Sequence, residues 1–205
     1  MNSLLMFSGG LDSTYALAKL LRETDDEVIV HHIHLMTNRW QHIAEAERCR
    51  KIVTYCHENM RPFVYTQSGI DHRRFVSVGM DLIAAGFEAG MVTGNYEAVT
   101  GKKINRWVIG IAKDDGVPDR RFEQAQRCLE YNCQSKSRKG IYPQLFIFPR
   151  VEPSEQARYL SRELFDLTWS CIRPQGVPDQ IRACGQCHKC KRRENAGRVF
   201  EMVDA

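Results

Sequence analysis

Seven residues near the start of the chain constrain its fold most: Ser8-Gly9-Gly10-Leu11-Asp12-Ser13-Thr14. Residues 3–7 ahead of them form a short apolar run. Residues 13–21 behind them carry Ala16, Leu17, Leu20 and Leu21 at helical spacing. A strand that becomes a helix through glycines leaves the leading N–H groups of that helix clustered at its positive end, where an anion fits. Glycine lets the backbone approach phosphate oxygens, and Ser8, Ser13 and Thr14 add hydroxyl donors. The loop is not of the Walker type, which requires Gly-Lys-Ser/Thr, nor the dinucleotide fingerprint, which requires a third glycine. A tight turn with Asp12 or Ser13 capping the helix is the purely structural reading of the same residues.

The alternation continues downstream. Residues 27–34 read as a second strand. Residues 42–59 read as a helix with Ile43, Ala46, Cys49, Ile52, Val53 and Cys56 on one face. A third strand is expected at 62–66, a helix at 75–89, and a fourth strand at 90–93 closed by Gly94. Residues 95–116 read as a long loop over the carboxyl edge of the sheet. A helix at 118–132, a strand at 144–148 and a helix at 154–165 complete the series. Strands separated by helices of this length predict an α/β fold with a doubly wound, mostly parallel five-stranded sheet. The character changes after residue 166: residues 167–205 hold four cysteines and a basic helix, and form a small C-terminal segment.

Those cysteines, Cys171, Cys184, Cys187 and Cys190, are spaced C-x12-C-x2-C-x2-C, and Cys184-Gly185-Gln186-Cys187 is a knuckle able to wrap a metal. Four thiolates match structural Zn(2+), while an iron–sulfur cluster is compatible with the same spacing. His188 reads as a solvated neighbour, and Cys49 and Cys56 as packing residues. Asp12 beside phosphates calls for Mg(2+) between them.

Composition excludes other classes. Of 205 residues 43% are hydrophobic and 26% charged, which is a globular balance. The most apolar stretch, 76–92, is interrupted by Asp81 and Glu88 and falls short of a membrane span. The first dozen residues carry no basic segment ahead of an apolar one, so a cytoplasmic location with reduced cysteines is expected. A net charge of +4 admits anionic substrates without demanding nucleic acid. The run Lys189, Lys191, Arg192, Arg193 and Arg198 reads as a solvated helix face; a zinc-containing nucleic-acid-binding module is the alternative from another class.

The heptad after an N-terminal strand resembles the pyrophosphate loop of the PP-loop ATP pyrophosphatases, an adenine nucleotide alpha hydrolase-like fold. With the terminal Cys-Gly-x-Cys-x2-Cys followed by Arg192 or Arg193, the chain resembles the 7-cyano-7-deazaguanine (preQ0) synthase family. The resemblance implies that Phe7, Ser8, Gly9, Gly10, Leu11, Asp12, Ser13 and Thr14 bind ATP, with Thr93-Gly94 as a second, weaker signature. Gln41-His42-Ile43-Ala44-Glu45 and Val117-Pro118-Asp119-Arg120-Arg121 resemble two internal family stretches. They imply substrate or catalytic roles for His42, Glu45, Asp119 and Arg121. The implied reaction joins ammonia to 7-carboxy-7-deazaguanine through an adenylate, giving the amide and then the nitrile, in a protein that is often a homodimer. The chain departs from the family at Phe75-Val76-Ser77-Val78-Gly79-Met80-Asp81, where an arginine and a proline of the pattern are missing. A ligase that stops at the amide or uses another carboxylate fits that departure. A PP-loop tRNA sulfur transferase is the second enzyme reading; it needs a reactive cysteine or an open iron.

Overall fold

The computed structural model describes residues 1–75, 81–133 and 140–201; Val76 to Met80, part of the family departure, lie outside them. Strand β1 (Asn2–Met6) has parallel neighbours on both edges. Leu4 and Met6 enter the core on one side of the sheet and Leu5 and Phe7 the core on the other, which is why this run is uniformly apolar rather than alternating. With β2 (Glu27–Met36), β3 (Val64–Asp71), β4 (Arg106–Ile109) and β5 (Gln144–Phe146) it forms a five-stranded sheet of order β3-β2-β1-β4-β5, parallel at every ladder. The chain moves outward from β1 to β3, then crosses back to β4 on the opposite side of β1. The order reverses between β1 and β4, so the connections leaving their carboxyl ends diverge and open a crevice there.

One face of the sheet is covered by α1 (Leu11–Glu23) and α2 (Gln41–Asn59), joined by α5 (Pro153–Tyr159), α6 (Arg162–Leu167) and α7 (His188–Gly197). Leu17, Ile52, Ala157, Leu164 and Ala196 from these five helices share one core. The other face carries α3 (Asp81–Thr100) and α4 (Asp119–Asn132), with Ala89, Ala125 and Leu129 against Leu4 and Trp107. Among the described residues no helix is long and apolar enough to cross a membrane.

The fourth strand is not where its glycines placed it. Residues 90–93 lie inside α3, Thr93 is fully buried there, and the strand is Arg106–Ile109, within the stretch read as a loop. Gly86, Gly90 and Gly94 recur every four residues, a helical period, and the first two serve a helix crossing rather than a strand end. A Cβ at Gly86 would overlap the Ala125 carbonyl, and one at Gly90 would sit 2.6 Å from the Leu129 oxygen. The glycines thus let the backbones of α3 and α4 meet. β3 also runs five residues further than expected, because its polar positions Gln67, Ser68 and Gly69 belong to an edge strand. The helix expected at 154–165 is two, broken at Leu160; Ser161 caps the second by accepting from the Leu164 N–H at 3.2 Å.

Replacing Gly90 by alanine should therefore cost about 1–3 kcal/mol through overpacking. Urea denaturation should show a lower midpoint with an unchanged slope, although alanine is the better helix former.

Candidate active site

The loop joining β1 to α1 is fixed from three directions. Gly9 has φ +72°, a left-handed conformation that side chains rarely adopt, and a Cβ there would lie 2.9 Å from the Cys49 Sγ and 3.5 Å from the Glu45 carbonyl oxygen on α2. Its own carbonyl accepts from the Trp169 N–H at 2.9 Å. On the β4 side, a Cβ at Gly110 would overlap the backbone of Asp12, so glycine is required where the chain leaves β4 as well. Gly10 precedes α1 without a side-chain cap, which leaves the leading N–H groups of the helix to an anion. Inside the loop, the Ser13 hydroxyl donates to the Gly10 carbonyl at 3.2 Å and lies 3.1 Å from the Ser8 hydroxyl. The Ser8 N–H in turn donates to Ser13 Oγ at 3.3 Å. Phe7 and Leu11 are core residues that anchor the two ends, and Thr14 Oγ1 is buried without a hydrogen-bond partner.

A cavity of about 390 Å³ opens at this loop, a volume suited to a small ligand. Phe7, Ser8, Asp12 and Ser13 form one wall, and Gln41 and Glu45 from the first turns of α2 form another. Asp81, Leu82 and Ala85 of α3 stand opposite, and Gly110, Asp115, Val117 and Lys189 close the β4 side. The Glu45 carboxylate accepts from the Gln41 amide at 2.6 Å. Burial, reinforced by the charge of Asp81 and opposed by the Gln41 hydrogen bond, pushes Glu45 up to about 7.

Opposite Glu45 the charges are paired. Arg192, 13% exposed, grips Asp12 with both terminal nitrogens at 2.8 and 3.2 Å and reaches Asp114 at 3.0 Å and Asp115 at 3.2 Å. Lys189 donates to Asp115 at 2.6 Å. Burial lifts the Asp12 carboxyl above its ordinary value in spite of Arg192. For Asp115 burial acts in the same sense, but Lys189, the Ala112 N–H and Arg192 outweigh it and hold the group below its usual range.

The four cysteine sulfurs all lie within 4.8 Å of one another, with 3.6 Å between Cys171 and Cys184, 3.5 Å between Cys187 and Cys190, and 3.9 Å between Cys184 and Cys190. Four bonds of about 2.3 Å to one tetrahedral ion place sulfurs about 3.8 Å apart. A four-iron cluster takes each thiolate on a different corner iron and holds the sulfurs more widely. The residues therefore fit a single ion. Gly185, at φ +69°, turns the knuckle, and the N–H groups of Cys184 and Cys187 donate to Cys171 and Cys184 sulfurs at 3.3 Å each. Two routes join this site to the loop. Trp169, bound to Gly9, donates its indole N–H to the Cys171 carbonyl at 2.9 Å; Cys187 is the N-cap of α7, which carries Lys189 and Arg192.

Of the substrate residues implied by resemblance, Glu45 alone lines the cavity. His42 is buried beside it with Nδ1 unpartnered, its pKa lowered by burial and by Arg73. Asp119, its side chain 94% exposed, stands 3.8 Å from Arg150, and Arg121 donates to Gln124 at 3.1 Å. The first turn of α4 points them away, while Val117 and Asp115 just before it reach the cavity. Thr93 and Gly94 sit two turns beyond the part of α3 that forms the wall, a consequence of the misplaced strand. Sequence reasoning missed Gly110, Asp115, Lys189 and Arg192. The signal was an apolar run ending in glycine, Trp107 to Gly110, and a lysine and arginine three residues apart at the start of a helix.

No protein-family model matches the sequence, and no curated protein matches it. Among solved structures it is similar to the U34-tRNA thiolase NcsA from Methanococcus maripaludis with its [4Fe-4S] cluster, at a TM-score of 0.50 and 13% identity over 100% of this chain. The chain spans 65% of that structure's length. At this identity the likeness is one of fold, a parallel α/β sheet covered by helices on both faces.

Because Glu45 is raised from 4.5 to about 7, folding is opposed by its ionisation. Its contribution to stability is fully present below pH 4.5 and is lost as pH rises through 7. Glu45→Gln should match the wild type in urea denaturation at pH 4.5 and exceed it at pH 8.

Proposed function

We propose that the chain is an ATP-dependent ligase that adenylates a 7-carboxy-7-deazaguanine-like acid and replaces AMP by ammonia, giving the amide and then the nitrile. The observation that carries this reading is that the glycine loop at the sheet's reversal point and the Gln41–Glu45 pair open into one cavity. The loop's N–H groups and the positive end of α1 suit a polyphosphate tail, while the apolar wall of Leu82, Ala85 and Val117 suits a planar ring.

In the first step a carboxylate oxygen attacks the α-phosphorus, and pyrophosphate leaves into the loop, whose fixed donors stabilise its charge without rearranging. Ammonia then attacks the acyl carbon, AMP departs, and the surplus proton passes to Glu45. A carboxyl near 7 is suited to that transfer at neutral pH. Adenylation of the amide oxygen followed by loss of AMP and a proton yields the nitrile, again with Glu45 as acceptor. Three aspartates against two cations leave the loop side acidic, and Mg(2+) held by Asp12 would supply the positive charge that ATP requires there. Zn(2+) in the Cys171, Cys184, Cys187 and Cys190 site would act structurally, fixing residues 167–205 against an ATP-binding unit of residues 1–166. Among the described residues no cysteine lines the cavity, so nothing there favours sulfur transfer.

Mass spectrometry after incubation with 7-carboxy-7-deazaguanine, ammonium and Mg-ATP should show AMP, pyrophosphate and the amide or nitrile. Metal analysis should show one zinc per chain and no iron. Glu45→Gln should slow amide formation by about 10²–10⁴-fold while retaining pyrophosphate release, and Gly9→Ala should abolish both. An unchanged base with ATP consumed on another acid overturns the substrate; a chain that releases no pyrophosphate overturns the ligase.

A further inference from the structure

The basic residues that follow the cysteine knuckle enter the reading above only as counter-charges to the aspartates, and the placement of Lys189 gives it a further role. Lys189 lies between two of the cluster cysteines, Cys187 and Cys190, and lines the cavity that contains the glycine loop. Its ammonium has three donors. One is committed to Asp115 at 2.6 Å, which fixes its direction, and the side chain is 27% exposed. Asp115 is in turn held by the Ala112 N–H at 3.0 Å and by Arg192 at 3.2 Å, so the carboxylate that aims Lys189 is itself fixed. Lys191, two residues on, is exposed and pairs with Glu194 at 3.4 Å; Arg193 turns to the Thr168 hydroxyl and the Phe165 carbonyl, both at 3.0 Å. The helix therefore sends one lysine and one arginine to the loop and the rest elsewhere.

We propose that Lys189 is a polyphosphate-binding residue whose position is set by the four-cysteine site, so that metal binding and nucleotide binding are thermodynamically linked. The inference rests on the ATP-dependent reading of the same cavity. Its physical content is simple. An ion that holds Cys187 and Cys190 in one tetrahedron fixes the first turn of α7, where only one residue separates Lys189 from Cys187, and so fixes the charge that meets the departing pyrophosphate. Trp169 supplies a second rigid connection, from Cys171 to the carbonyl of Gly9. Linkage is reciprocal: whatever the metal adds to nucleotide affinity, the nucleotide adds to metal affinity.

The test uses the metal-loaded protein and α,β-methylene-ATP with excess Mg(2+), which binds without turning over. Calorimetry should give a dissociation constant about 10- to 100-fold weaker for Lys189→Met, the range for losing a hydrogen bond to a charged group. Lys189→Arg should recover most of the affinity, Lys191→Met should equal the wild type, and all four proteins should carry the same metal content. In a second measurement, release of the metal to a chromogenic chelator should slow when the wild type is saturated with the analogue and slow less in Lys189→Met. Equal affinities for wild type and Lys189→Met, or a release rate indifferent to the analogue, overturn the linkage while leaving the ATP reading intact. A wild type that binds no analogue overturns both.

Discussion

The structure depends on a backbone position with no room for a side chain. Gly9 bends into the left-handed region at the point where β1 ends, and α2 packs so closely there that Cys49 Sγ would stand 2.9 Å from any Cβ. The same bend turns the Gly9 carbonyl toward Trp169, so the residues leading to the cysteine site are tied to the loop by a main-chain hydrogen bond. Gly110 imposes the matching condition from β4, where a Cβ would overlap Asp12. Three separate parts of the chain, α2, the end of β4 and the C-terminal segment, converge on one turn, and the cavity is what remains between them.

That convergence explains the arrangement of charge. The β4 side brings the largely buried Asp115 and the more exposed Asp114 beside Asp12, and like charges so close oppose folding unless cations answer them. The answer comes from α7. Arg192 is planar and presents its nitrogens as a fork, which suits a two-point grip on Asp12 with contacts left over for Asp114 and Asp115. Lysine, a point charge with rotatable donors, suits the position that faces open space. The cysteine site, α7 and the loop are thus one electrostatic unit, although they lie at opposite ends of the sequence.

The fold was legible because its signals were local and repeated. Apolar runs of strand length, helical stripes and the glycine heptad each named their own element, and the parallel sheet followed from their order. The error at residues 90–93 arose because glycine carries two messages. At the end of an apolar run it marks a turn, whereas at every fourth position it marks a helix that another helix approaches; the second message held, since Gly86 and Gly90 face α4. The loop and the four cysteines were legible for the same reason of proximity in sequence. Lys189 and Arg192 were not, because a basic helix face reads as solvated until its partners are known, and Asp12 and Asp115 lie more than 70 residues away. Of the residues implied by resemblance Glu45 lines the cavity while Asp119 and Arg121 do not, because a motif that begins a helix does not say which side of the first turn meets a cavity.

Two histidines of β2 and Asp115 titrate away from Glu45, the group placed to act in the cavity. His32 is buried and bound through Nδ1 to the Phe7 carbonyl, the last backbone oxygen before the loop. His31, on the opposite face of β2, bonds Thr66 at 2.8 Å and Ser68 at 3.0 Å. Burial lowers both imidazoles to about 4, so they stay neutral through the physiological range and their hydrogen bonds do not change with pH. Asp115, pulled below the ordinary carboxylate range, keeps its charge and its hold on Lys189 throughout the same interval. Glu45, raised to about 7, is the exception. Between pH 6 and 8 it gains and loses its proton while the two buried histidines and the Asp115 carboxylate that holds Lys189 keep their charge states. A proton acceptor can be weakly held without loosening the site only where its surroundings titrate elsewhere, and the burial of two histidines against the sheet secures that separation.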